Sequence, residues 1–198
     1  MRILITVCFS IFFGASAFAQ TQKTLIGFQN IPWGSGIEVV KTKLINSKIH
    51  DDCEAVEEFK ELYKKNDVNC RSISVESYNI NGIELFLKAS FNHAGRLNRV
   101  IISKTYETDD FMKKCNQSYQ QLKLLLETRY GDSDIPNVIG DGIFPYKKYE
   151  IRVWIPLPTE IWIAKAYDID EFYKRKGKES CQVKIQYSKR QPEAASKL

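Results

Sequence analysis

Residues 108–130, TDDFMKKCNQSYQQLKLLLETRY, set the terms for the rest of the chain. Phe111, Cys115, Leu122, Leu125, Leu126 and Arg129 recur at spacings of three, four and seven, which predicts an amphipathic helix with one apolar stripe. Thr108 is a suitable N-cap, Asp109 and Asp110 place negative charge in the first turn, and Gly131 is a stop. Strand-like sequence lies on both sides, so the stripe has to be buried against a sheet.

Two hairpins supply that sheet. Asn81-Gly82 joins the alternating runs 71–80 and 83–91, pairing Ile80 with Ile83 and Tyr78 with Leu85. Leu97, Val100 and Ile102 carry a third strand. A second hairpin, 146–167, turns at Pro156-Leu157-Pro158, and 180–188 is a last strand. Residues 132–145, rich in Asp, Gly and Pro, read as a loop, and 168–176 as a charged helical turn. Ser35 and Glu38 form a capping box for a short helix to about Asn46, and residues 51–65 read as a charged helix. The predicted fold class is α+β: two α-plus-meander halves, about 25–106 and 107–188, forming one antiparallel sheet of about six strands with helices on one face.

The first nineteen residues read as a secretory signal peptide: Arg2, an apolar run from Ile3 to Phe13, and Ala17-Phe18-Ala19 before the cut. No later segment approaches the length of a membrane span. Periplasmic or secreted localisation follows, with a domain over 20–188 and a disordered tail over 189–198. Loss of the signal removes one arginine and leaves 28 basic against 24 acidic residues, a dispersed net charge of +4 that does not point to nucleic acid. Four cysteines remain, Cys53, Cys70, Cys115 and Cys181, an even set that suggests two disulfides. Cys115 lies on the apolar stripe and Cys181 shares strand parity with Val183, Ile185 and Tyr187. A Cys115–Cys181 staple is therefore favoured, leaving Cys53 and Cys70 to close a local loop. No C-x-x-C spacing supports a metal site.

Phe28 to Val39, F-x-x-I-P-W-G-S-x-x-E-V, resembles the opening of a largely uncharacterised family of small exported bacterial proteins. Phe91 to Leu97 is similar to their F-x-x-x-G-x-L turn, and Leu126 to Gly131 to their L-x-x-x-Y-G helix end. The resemblance implies an envelope location and an α+β fold, and no activity.

His50 and His93 read as loop histidines, no G-x-S-x-G elbow is present, and the acidic residues cluster in charged helices. Gly34-Ser35-Gly36 lacks a full phosphate-binding pattern, so no cofactor is expected. With Val153 opposite Ile161 and Ile151 opposite Ile163, the other side of the second hairpin carries Arg152, Trp154, Glu160 and Trp162. This is the composition of an interface centre, unless the N-terminal segment around Trp33 or the charged turn carrying Phe172 and Tyr173 covers it. Tyr146 and Tyr149, interleaved with Lys147 and Lys148, suit an anionic or sugar polymer. The expected function is a non-catalytic exported binding or protein-interaction module. Its partner is a protein or an envelope polymer. The alternatives are an inhibitor presenting loop 132–145 or 156–159, and a glycan hydrolase with paired carboxylates.

Overall fold

The computed structural model describes residues 25, 27–51, 71–143, 146–169 and 179–190. The expected local loop between Cys53 and Cys70, the helix expected over 51–65 beyond Asp51, the signal peptide, the helical turn beyond Ile169 and the tail after Arg190 lie outside these residues; Asp168 and Ile169, expected in that turn, instead continue a strand, and Lys189, expected in the tail, ends another.

Alternation of period two over Arg71–Ile80 (β4), Ile83–Phe91 (β5) and Leu97–Tyr106 (β6) produces a meander, preceded by a short strand, Lys48–Asp51 (β3). Asn81 and Gly82 take φ of 50° and 83°, and the hairpin has the predicted pairs Ile80–Ile83 and Tyr78–Leu85. A second meander follows the long helix: Ile135–Ile143 (β7), Tyr146–Trp154 (β8), Thr159–Ile169 (β9) and Cys181–Lys189 (β10). The two join through their last strands, β6 against β10, in one antiparallel sheet ordered β3-β4-β5-β6-β10-β9-β8-β7.

Among the described residues the sheet thus has eight strands rather than about six. Both additions are rim strands. The segment 135–143 was expected to be loop because Pro136, Gly140 and Gly142 read as breakers; Pro136 is tolerated beside a bulge between Ile135 and Val138 on an outermost strand.

The long helix (α2) spans Phe111–Tyr130 and packs on β10, β9 and β6. It buries Cys115, Ser118, Tyr119, Leu122 and Leu126, and Gly131 ends it with φ of 86° and its N–H on the Glu127 carbonyl at 2.8 Å. The shorter helix, Ile37–Lys43 (α1), buries Val40 in the same core. Its N-cap is Gly36 and no side chain caps it: the Ser35 hydroxyl donates instead to the Pro32 carbonyl at 2.8 Å, so the expected capping box is not formed.

The core lies between the two helices and one face of the sheet, where Ile73, Leu87, Phe91, Ile102, Ile161 and Ile185 are all buried. Cys115 and Cys181 form the expected disulfide in this layer, tying α2 to the first residue of β10.

A two-stranded ribbon, Gly27–Phe28 (β1) and Ile31–Pro32 (β2), closes one end of the core. A Cβ on Gly27 would lie 2.0 Å from the Ile31 carbonyl oxygen, so only glycine fits that crossing. The Gly34 N–H donates to the Leu97 carbonyl and the Leu97 N–H to the Ser35 carbonyl, both at 2.9 Å. The Trp-Gly-Ser turn and the Gly-Arg-Leu turn are therefore one assembled unit. Trp33, packed against the core, donates its indole N–H to Thr159 Oγ1 at 2.7 Å. The Thr159 hydroxyl in turn donates to the Leu25 carbonyl.

Candidate functional site

Strand register decides what each face of the sheet offers. In the β8–β9 hairpin the loop is Ile155 to Pro158, one residue longer than expected. Trp154 therefore opposes Ile161, Val153 opposes Trp162, Arg152 opposes Ile163 and Ile151 opposes Ala164. A single-residue change of register sends alternate side chains to the other face. The four residues expected to share a surface are split accordingly: Arg152 and Trp154 point toward α2, while Trp162 and Glu160 remain on the far face.

Under α2 those two residues have structural partners. Trp154 is 1% exposed and donates its indole N–H to the Gly131 carbonyl at 2.9 Å. The Arg152 guanidinium bonds Glu127 of α2 at 3.2 Å, and Lys123 approaches the same carboxylate at 3.8 Å. Nearer the start of α2, Lys165 pairs with Glu150 at 3.1 Å and donates to Asn116 Oδ1 at 2.9 Å. This ionic layer clamps the polar side of α2 to β8 and β9. Tyr146 starts β8 opposite Ile169, and its side chain lies outside the described part.

The far face has no helix on it among the described residues. Reading across the strands, one row runs Ile135, Val153, Trp162, Gln186, Ile101, Lys88 and Ser74. The next runs Val138, Ile151, Ala164, Lys184, Ser103 and Phe86. The apolar side chains gather toward β7, β8 and β9, and the cations Lys184, Arg99 and Lys88 toward β10, β6 and β5. Trp162 stands where the two regions meet. The Lys184 ammonium sits 5.0 Å from the Trp162 ring centroid. Partial burial, then the charge of Arg99, holds the Lys184 pKa below the usual lysine value. Two cations held close on a half-dry surface favour a negatively charged neighbour.

The chain matches no family model, no curated protein and no solved structure. Its chemistry therefore has to be read from its own side chains.

His50 is on β3 rather than in a loop, and its Nε2 lies 2.6 Å from Ser74 Oγ. Ser74 is a buried residue of β4, two pairs along from Ser72, the direct partner of His50, so the contact is a diagonal cross-strand hydrogen bond. Among the described residues no three metal-ligating side chains gather, and no helix is long and apolar enough to cross a membrane. The strand register missed from sequence was the decisive signal. It depended on whether Ile155 belonged to β8 or to the loop, and the loop retains it: the Thr159 N–H bonds the Pro156 carbonyl at 3.0 Å and the Arg190 N–H the Pro158 carbonyl at 2.8 Å.

Proposed function

We propose that this chain is a non-catalytic binding module of an exported, envelope-located protein, acting through the sheet face that bears no helix among the described residues. The observation that carries this reading is the Trp162–Lys184 pair at the junction of an apolar and a cationic region. A large, rigid aromatic beside a poorly hydrated cation is the kind of group that anchors an interface. The partner chemistry that fits is an apolar patch bordered by carboxylates, as on a protein surface. Glu160 stays at the margin of the face, across Ser188 from Arg99, and would align such a partner by repulsion. The signal sequence and the Cys115–Cys181 bridge support an oxidising compartment.

An inhibitor presenting the loop between β8 and β9 is the second reading, favoured by Leu157, 49% exposed between Pro156 and Pro158. Variants separate the two. Retention of the protein on immobilised envelope extract should fall at least tenfold in W162A and K184E and stay unchanged in L157S. Loss in L157S alone supports the inhibitor, and unchanged retention in both face variants overturns the binding face.

A further inference from the structure

The helix side of the sheet holds a cavity that the binding face does not account for, where the β1–β2 ribbon, the β4–β5 hairpin and the last turn of α2 meet. It measures about 290 Å³, at the lower bound of small-ligand sites. At about 30 Å³ per water it has room for roughly ten non-hydrogen atoms, one small ring with its substituents. Phe28 and Ile102 supply apolar wall, Tyr78 and Tyr187 supply phenols, and the exposed Gln29 and Asn79 supply carboxamides at the rim. Among the described residues the lining includes no carboxylate.

Phe28 positions the phenols. Its ring lies 5.1 Å from that of Tyr187, edge to face, and 6.4 Å from that of Tyr78. The Tyr78 hydroxyl is shielded from solvent and has no hydrogen-bond partner among the described residues. A buried hydroxyl left in that state is unfavourable, and native structures retain one where something else completes it. Burial raises the phenol pKa of Tyr78 and Tyr187, so at neutral pH both are uncharged and can donate as well as accept. At the rim, Asn79 Oδ1 accepts from the Gly82 N–H at 3.0 Å, which leaves its amide hydrogens for another partner. Arg129 acts electrostatically on both phenols, but it offers no free charge to a ligand. It is exposed, its guanidinium sits 5.7 Å from the Tyr130 ring centroid, it engages a further group, and the negative pole of α2 offsets its charge.

We propose that this cavity binds one ring of a neutral carbohydrate, its hydroxyls exchanging hydrogen bonds with Tyr78, Tyr187 and the rim carboxamides and its C–H face against Phe28 and Ile102. Charge argues for a neutral ligand. A cation meets no carboxylate among the described lining residues, and an anion meets only a guanidinium that is already engaged. A wholly apolar body would leave the Tyr78 hydroxyl as unsatisfied as before. Phenols and carboxamides both donate and accept, and the ligand groups that answer in both senses are hydroxyls. The volume suits a single ring.

The test is a titration with glucose, galactose and N-acetylglucosamine, followed by NMR shifts of the tyrosine rings. Glucuronate, glucosamine and cyclohexanol serve as the anionic, cationic and single-hydroxyl comparators. At least one neutral sugar is expected to give saturable shifts at Tyr78 and Tyr187, with all three comparators at least tenfold weaker. Y78F and Y187F should each weaken that sugar at least threefold while keeping the rings that pack on Phe28. Y78F removes a hydroxyl that the unbound protein leaves unsatisfied, so its unfolding midpoint without sugar should equal or exceed the parent's. No saturable shift from any neutral sugar, or a comparator that binds as tightly, overturns the proposal. So does undiminished binding by both variants. A lower midpoint for unbound Y78F also overturns it, because the hydroxyl would then have a partner within the protein. The sheet-face reading does not depend on the outcome, since W162A and K184E leave this cavity untouched.

Discussion

Cys115 in the second turn of α2 and Cys181 at the start of β10 are covalently joined, and both are fully buried. The bridge spans 66 residues of sequence, enclosing β7, β8 and β9, so the second meander cannot leave the long helix. Reduction, or the C115A/C181A double variant, is expected to remove roughly 4 kcal/mol by the chain-entropy relation. Denaturant midpoints with and without reductant measure this, and an unchanged midpoint would contradict it.

Trp154 seals the end of α2 through its bond to Gly131. W154F retains most of the ring volume but leaves that carbonyl without the indole donor, an expected loss of about 1–3 kcal/mol. W154A adds a cavity and should lose about 3–5 kcal/mol. In acrylamide quenching, emission from a W33F/W162F protein, which reports Trp154 alone, should be nearly unaffected. Ready quenching would place Trp154 on a surface after all.

Arg152 and Glu127 form a cross-element pair with each side chain about one quarter exposed. Its coupling in an R152A/E127A double-mutant cycle should be about 1–2 kcal/mol, between the values for exposed and fully buried pairs. R152A alone should be milder than E127A, because Lys123 remains near the Glu127 carboxylate whereas Arg152 would keep a largely buried charge without that carboxylate. The reverse order would show that the charge layer does not fasten α2.

Alkaline pH should destabilise the protein. Burial holds the phenol pKa values of Tyr78, Tyr119, Tyr130 and Tyr187 above the usual 10.0. Above about pH 10 the unfolded chain releases protons that the native state retains, so stability falls as pH rises toward the native values. Lys184 works in the opposite sense: its lowered pKa lets stability rise with pH below its ordinary 10.5. The denaturant midpoint should therefore decline above pH 10, with tyrosinate absorbance at these positions appearing together with unfolding. Ionisation of all ten tyrosines at one ordinary value in a still-folded protein would refute this.

Patterns that are strong and local were legible in the sequence. Asn81-Gly82 fixed its own register, because both positions need positive φ and a two-residue turn leaves one pairing. The stripe through Cys115, Leu122 and Leu126 located α2, although Ser118 and Tyr119 were invisible as core residues because their polarity masks the Tyr106–Ser118 hydroxyl contact that satisfies one of them. Three features depended on tertiary contacts. Breakers in 135–143 read as loop, yet a rim strand tolerates them. Ile155 alone set the face of Arg152, Trp154, Glu160 and Trp162. The Tyr78–Arg129–Tyr187 cluster draws on β4, α2 and β10, so no window of sequence displays it.

The two rims of the sheet carry a last consequence. One is β3, four residues long with Lys48 and Asp51 at its ends; the other is β7, bent by its bulge and holding Pro136, which has no N–H to donate. Both are poor templates for an incoming chain, and a protein with eight strands and such borders resists stacking into fibrils. Among the described residues neither border invites recognition through main-chain zippering, which favours side chains as the means by which this molecule holds a partner.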